Sequence, residues 1–152
     1  MLARSLVRSV AVLSLVALGC HSSSSPSEPA RQDALSLVSL SPAEGTVLAY
    51  GGTVDVTLRA RYSFASANRG QIGLIAYPGS GGFPTGLPIF TDPFFFPVEG
   101  REGEVTLRFR VYFNLSDPPL PKGSRVTLDF ALFPEGVNQS STGFNAHYQL
   151  GS

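Results

Sequence analysis

Side chains able to carry acid–base or nucleophilic chemistry are few in this chain. Its 152 residues include two histidines, His21 and His147, and one cysteine, Cys20. A nucleophile needs a base within hydrogen-bond reach, and that base needs a third group to orient it. His21 lies in a serine-rich run, and His147 alternates between Ala146 and Tyr148, which places it on the wet face of a strand as a solvated side chain. No G-x-S-x-G turn is present to present a serine. Paired carboxylates could hydrolyse glycosides. Asp92, Glu99, Glu102 and Glu104 are close enough in sequence to consider, but they flank the Gly100-Arg101-Glu102-Gly103 turn, where charge marks solvent. No Cys/His cluster or EF-hand spacing offers a metal site. Asp117 or Glu135 with loop carbonyls could supply a scattered calcium site. No phosphate-cradling loop or dinucleotide fingerprint appears, so no cofactor is expected.

Two groups of residues fit binding better than catalysis. Phe94, Phe95 and Phe96 follow Ile89-Phe90 in a stretch punctuated by Pro88, Pro93 and Pro97. Successive side chains of an extended chain point to opposite faces, so three consecutive phenylalanines cannot all enter one core. Either the segment folds back over one end of the domain, or it leaves an apolar patch for a partner or a membrane surface. The second group is Arg59 and Arg61 on one strand with Arg108 and Arg110 on another. If those strands are neighbours, the four guanidinium groups share a face that could hold an anionic glycan or headgroup. Otherwise they belong to an ordinary wet face, with Asp55 and Glu104 offsetting part of the charge.

The elements that position these residues are strands. Thr53 to Phe64 alternates without a break: Val54, Val56, Leu58, Ala60, Tyr62 and Phe64 face one way and polar residues the other. Glu104 to Phe113, Ser124 to Phe133 and Gly143 to Leu150 alternate in the same manner. Leu35 to Leu40, Thr46 to Tyr50 and Gln71 to Tyr77 complete about seven strands, the last apolar on both faces as a central strand should be. Between Pro78 and Gly103, short edge strands are expected near Leu87–Thr91 and Phe94–Val98, because proline is tolerated at sheet edges. No helix is expected after residue 20. A hydrophobic fraction of 43% with 16 glycines and 12 prolines suits short strands and frequent turns.

The first 20 residues are of another kind. Arg4 and Arg8 precede the apolar run Ser9 to Leu18, too short to span a bilayer permanently. It ends in Ala17-Leu18-Gly19-Cys20, which resembles a bacterial lipobox. That resemblance implies cleavage before Cys20, diacylation of its thiol and acylation of the new amino group. Several acyl chains anchor stably where one would not. His21, rather than aspartate, follows the cysteine, which by analogy favours the outer over the inner membrane. Removing Arg4 and Arg8 leaves nine basic against eleven acidic side chains, a balance that argues against nucleic acid as a partner. In such a protein the Asn114-Leu115-Ser116 and Asn138-Gln139-Ser140 matches to a glycosylation acceptor are accidental.

These observations divide the chain into a leader at 1–19, a lipidated cysteine with a Ser/Pro tether at 20–34, and an all-β domain at 35–152. As a flexible coil the tether would hold the domain roughly 20 Å from the lipid. The run Ser41-Pro42-Ala43-Glu44-Gly45 followed by Gly52-Thr53-Val54-Asp55-Val56 resembles the opening of bacterial Ig-like domains. It implies an antiparallel Ig-like sandwich of about seven strands, which hosts many functions and defines none. The expected role is a non-enzymatic interaction module, tethered to the membrane by its lipid, with an envelope protein or glycan as partner. The alternatives are a small envelope enzyme or inhibitor using loop carboxylates, and a passive structural lipoprotein.

Overall fold

The computed structural model describes residues 31–79, 88–116 and 119–151. The leader, Cys20, most of the tether, Leu87 and Asp117 lie outside them. The described chain forms nine strands: β1 (Ala34–Ser41), β2 (Val47–Leu48), β3 (Thr53–Ser63), β4 (Arg69–Pro78), β5 (Thr91–Asp92), β6 (Phe95–Glu99), β7 (Glu102–Tyr112), β8 (Arg125–Pro134) and β9 (Thr142–Leu150), with one 3-10 turn after β7. They make two sheets, ordered β1-β3-β7-β5 and β2-β9-β8-β4-β6, one of them curled into a half-barrel. Neighbouring strands are antiparallel except β2 and β9, which run parallel.

Alternation explains which side chains meet. Val56, Leu58, Ala60, Tyr62 and Phe64 are buried, as are Leu107, Phe109, Val111 and Phe113 from β7 and the turn after it. From the other sheet come Ile72, Leu74, Ala76, Val126, Leu128, Phe130, Leu132, Ala146, Tyr148 and Leu150, in the same core. A chain of rings joins the two layers: Phe96 to Phe109 at 5.0 Å, Phe109 to Phe130 at 5.9 Å, and Phe130 to Phe144 at 5.2 Å. These separations are those of favourable aromatic pairs.

The seven long or expected strands are present with shifted ends. The Thr46–Tyr50 segment shrinks to Val47–Leu48 because its preceding turn is tied to β9. There Gly45 N–H donates to the His147 carbonyl at 2.9 Å, and the Tyr148 hydroxyl donates to the Pro42 carbonyl at 2.8 Å. Gly45 takes φ 81°, open to glycine without strain. The edge strand expected near Leu87–Thr91 is Thr91–Asp92, while Ile89 makes a single bridge to Ala76. The domain starts slightly earlier than residue 35: Ala65 N–H donates to Asp33 Oδ1 at 2.7 Å, fastening the chain before β1.

The sheet edges carry their own protection. The ladder of β1 shifts between Leu37 and Ser39, leaving Val38 out of register, and such a bulge blunts an edge against further pairing. Pro97 sits within the edge strand β6 and removes a donor there.

Candidate functional site

The two strands carrying the arginines are neighbours. In the β3–β7 register Arg61 lies opposite Glu104, Arg59 opposite Thr106, Thr57 opposite Arg108 and Asp55 opposite Arg110. All four arginines therefore share one face, but carboxylates interleave them. Glu104 is gripped by Arg59 and Arg61 together, and Arg110 Nε donates to Asp55 Oδ1 at 2.7 Å. Asp92 of β5 stands opposite Arg110 on its other side. Arg108 forms no ion pair among the described residues, although its charge reaches Asp55. The face is a charge-alternating ladder rather than a basic patch, because cross-strand register places each acid beside a base.

Electrostatics follow this geometry. Hydrogen bonds from Arg61 and then Arg59 hold the Glu104 carboxyl below its ordinary value, and Arg110 does the same for Asp55. Arg69 lowers Glu135, with which it forms an exposed ion pair. For these three acids the folded pKa is depressed, so the unfolded chain binds more protons. Their contribution is present above the ordinary carboxylate range and disappears as pH falls through the folded values. Thermal stability is expected to drop from about pH 5 to about pH 3, and to do so less in Glu104→Gln. Melting curves across that range check this; a parallel decline in both proteins would remove the ladder as its source. The pairs are exposed, so salt weakens the same effect.

The phenylalanine run divides as alternation requires. Phe96 points inward onto Phe109. Phe95 points outward from β6, meets Phe133 edge-on at 5.2 Å and Phe94 at 4.6 Å, and covers Gly73, where an added Cβ would come within 2.8 Å of its ring. Phe90 lies on Tyr112 at 5.3 Å. Phe90, Phe94 and Phe95 remain 56%, 40% and 39% exposed. These rings follow the edge where the chain passes from β5 in one sheet to β6 in the other. Neither expected arrangement holds for the whole run: Phe96 is partly buried against the core, and its two neighbours are more exposed.

The remaining carboxylates gather around arginines: Glu104 is held by Arg59 and Arg61, Asp92 faces Arg110, and Glu99 and Glu135 line one cleft with Arg69 between their charges. Among the described residues no three His, Cys, Asp or Glu side chains gather as a metal site. His147 is exposed on the outer face of β9, as expected, and makes one side-chain contact there. Buried Thr127 Oγ1 donates to the Gly79 carbonyl at 2.7 Å and sits 3.1 Å from His147 Nδ1. With its proton already committed, the threonine accepts at that contact, so Nδ1 carries the hydrogen.

One grouping escapes sequence reading. On the outer face of the five-stranded sheet, Ile75, Asp129 and Asn145 form one row, and Tyr77, Thr127 and His147 the next. The polar alternation within β8 and β9 was visible in the sequence, but nothing in it says that β8 lies between β4 and β9.

No protein-family model matches this chain, and no curated protein matches it.

Proposed function

We propose that this chain is a lipid-anchored recognition module of the bacterial cell envelope, built on an Ig-like sandwich, which docks an envelope protein through Phe90, Phe94 and Phe95. The observation that carries this reading is the partly exposed, edge-on Phe94–Phe95 pair, with Phe90 also exposed four residues earlier on the same sheet-crossing segment. Aromatic side chains supply much of the energy of protein interfaces, and the Asp55–Arg110–Asp92 group beside Phe90 offers the polar rim such patches have.

The position of Phe90 favours a partner away from the anchoring bilayer, while Phe95 lies opposite Gly73, midway along β4. The chain enters at Ala34, opposite Ser63, which in turn lies opposite Glu102. Phe90 rests on Tyr112, at the other end of the same eleven-residue strands. At about 3.3 Å per residue the two ends are about 33 Å apart. The pole nearest the tether instead carries Arg31, Arg101 and Glu102.

The strand order supports the Ig-like assignment. A four-strand layer β1-β3-β7-β5 faces a layer in which β9, β8 and β4 are adjacent, which corresponds to the ABED and GFC layers of such domains. One departure is that β5, in the D position, precedes β6, which occupies the C′ position. The lipid anchor rests on the Ala17-Leu18-Gly19-Cys20 sequence, with outer-membrane placement suggested by His21.

Two experiments test the proposal. Cys20→Ser is expected to move the protein from the membrane pellet to the soluble fraction with loss of the acyl mass; retention in the pellet overturns the anchor. For docking, p-benzoylphenylalanine is placed at position 90 or 94 in intact cells, with position 39 on β1 as control. A shared protein adduct from both positions, absent from the control and lost with Phe95→Ser at a stability change below about 1 kcal/mol, is the expected result. Lipid adducts would transfer the role of the edge to membrane contact, and absence of any adduct would end the docking hypothesis.

A further inference from the structure

Beside the outer row of the five-stranded sheet lies an open cleft of about 300 Å³, lined by Tyr77, Asp129, Ala131, Asn145, Gly143 and the segment Ser140–Thr142. Its floor is low because Gly143 has no side chain and Ala131 has a short one. Its walls are polar: a carboxylate, an amide, a phenol and neighbouring hydroxyls. Asp129 is only partly exposed, yet its carboxylate makes no hydrogen bond or ion pair among the described residues. No buried side-chain oxygen or nitrogen is left without a partner, so the carboxylate oxygens look into the cleft rather than into the core.

The chemistry of the lining narrows the ligand to one that brings hydrogen-bond donors. An ionised carboxylate can only accept hydrogen bonds, so the occupant must bring donors. No arginine or lysine lines the cleft, which disfavours an anion beside Asp129. A single carboxylate with no second acid or histidine cannot cage a divalent cation. An apolar ligand would strand the polar wall. A neutral pyranose suits all four conditions. Adjacent hydroxyls can donate to the two oxygens of Asp129, the Asn145 amide both gives and accepts, and the shallow glycine floor admits the flat face of a ring. We propose that this cleft binds a neutral sugar residue, with Asp129 and Asn145 as its recognition groups.

A second observation agrees. Burial raises the Asp129 pKa above its ordinary value, so the ionised group is disfavoured where it stands. A partly buried carboxylate without a protein partner is a feature that binding sites share. Burial, and then the charge of Asp129, also raise Tyr77.

The test is a titration of the isotopically labelled full chain, in detergent, with methyl glycosides of glucose, galactose, mannose and N-acetylglucosamine, followed by amide NMR shifts. A chitotriose arm distinguishes a polymer-derived sugar from a free one by its tighter binding. At least one probe should give saturable shifts at residues 140–146 and 129, with a Kd of about 1 mM, as expected for so small a ligand. Asp129→Ala should weaken it at least tenfold while the melting temperature holds or rises, and Asn145→Ala should weaken it without unfolding the domain. No saturable shift with any probe up to 50-fold above that concentration overturns the proposal. So do shifts that persist unchanged in Asp129→Ala. Neither result bears on the aromatic edge, which has its own crosslinking test.

Discussion

Replacing Phe130 by alanine is expected to cost about 4 kcal/mol of folding stability, the upper part of the range for buried aromatic truncations. Phe130 is fully buried. It lies between Phe109 of the opposite sheet and Phe144 of its own neighbour strand, so truncation opens a hole between layers held by paired backbones, which cannot close over it. Against a total stability of roughly 5–15 kcal/mol for a domain, the variant would be close to its unfolding threshold. Urea unfolding of the pair measures the effect. A loss below about 2 kcal/mol would show that the two sheets can collapse onto the vacancy. Phe95→Ala provides the contrast: its ring is partly wet, and a cost of about 1 kcal/mol is expected.

Gly143→Val is the second large effect, expected at about 3 kcal/mol. Gly143 lies opposite Ala131 in the β8–β9 ladder. A Cβ there would overlap the Phe130 carbonyl oxygen and press within 3.2 Å of the Ala131 Cα. These are backbone atoms, so no rotamer change relieves the clash, and the two strands must separate. Gly136 isolates the alternative reason for a glycine. It sits in a turn with φ 78° and open space around it, so Gly136→Ala carries only backbone strain, about 1 kcal/mol. Chemical denaturation that ranks the two substitutions equally would refute the packing argument.

The legible part of this molecule was its alternation. Thr53–Phe64 and Glu104–Phe113 announce strands with one buried face, and the structure buries Leu58, Ala60, Leu107 and Phe109 as that pattern demands. The strand β4 was legible as central from its two apolar faces, and it lies between β8 and β6. The two short edge strands were located only loosely, because two- to five-residue segments rich in proline carry almost no periodic signal. The arginine face shows the limit most clearly. That Arg59, Arg61, Arg108 and Arg110 point outward could be read residue by residue. That Glu104 falls between Arg59 and Arg61, and Asp55 against Arg110, depends on a register between segments some 50 residues apart. A slip of one residue would have exchanged the faces of a whole strand.

The same division holds for the candidate sites. Phe94, Phe95 and Phe96 could not all be core, because direction alternates along any extended chain, and this needed no fold. Which of them packs against the core was settled by the ring of Phe109 in the other sheet. Asp129, Asn145 and Tyr77 come from segments separated by up to 68 positions in the sequence, and only the order β9-β8-β4 makes them neighbours. Side-chain direction is a local property of the backbone, written in each stretch of residues. Adjacency is a property of hydrogen-bonded pairing between distant stretches, and it exists only once the two sheets have closed on a common core.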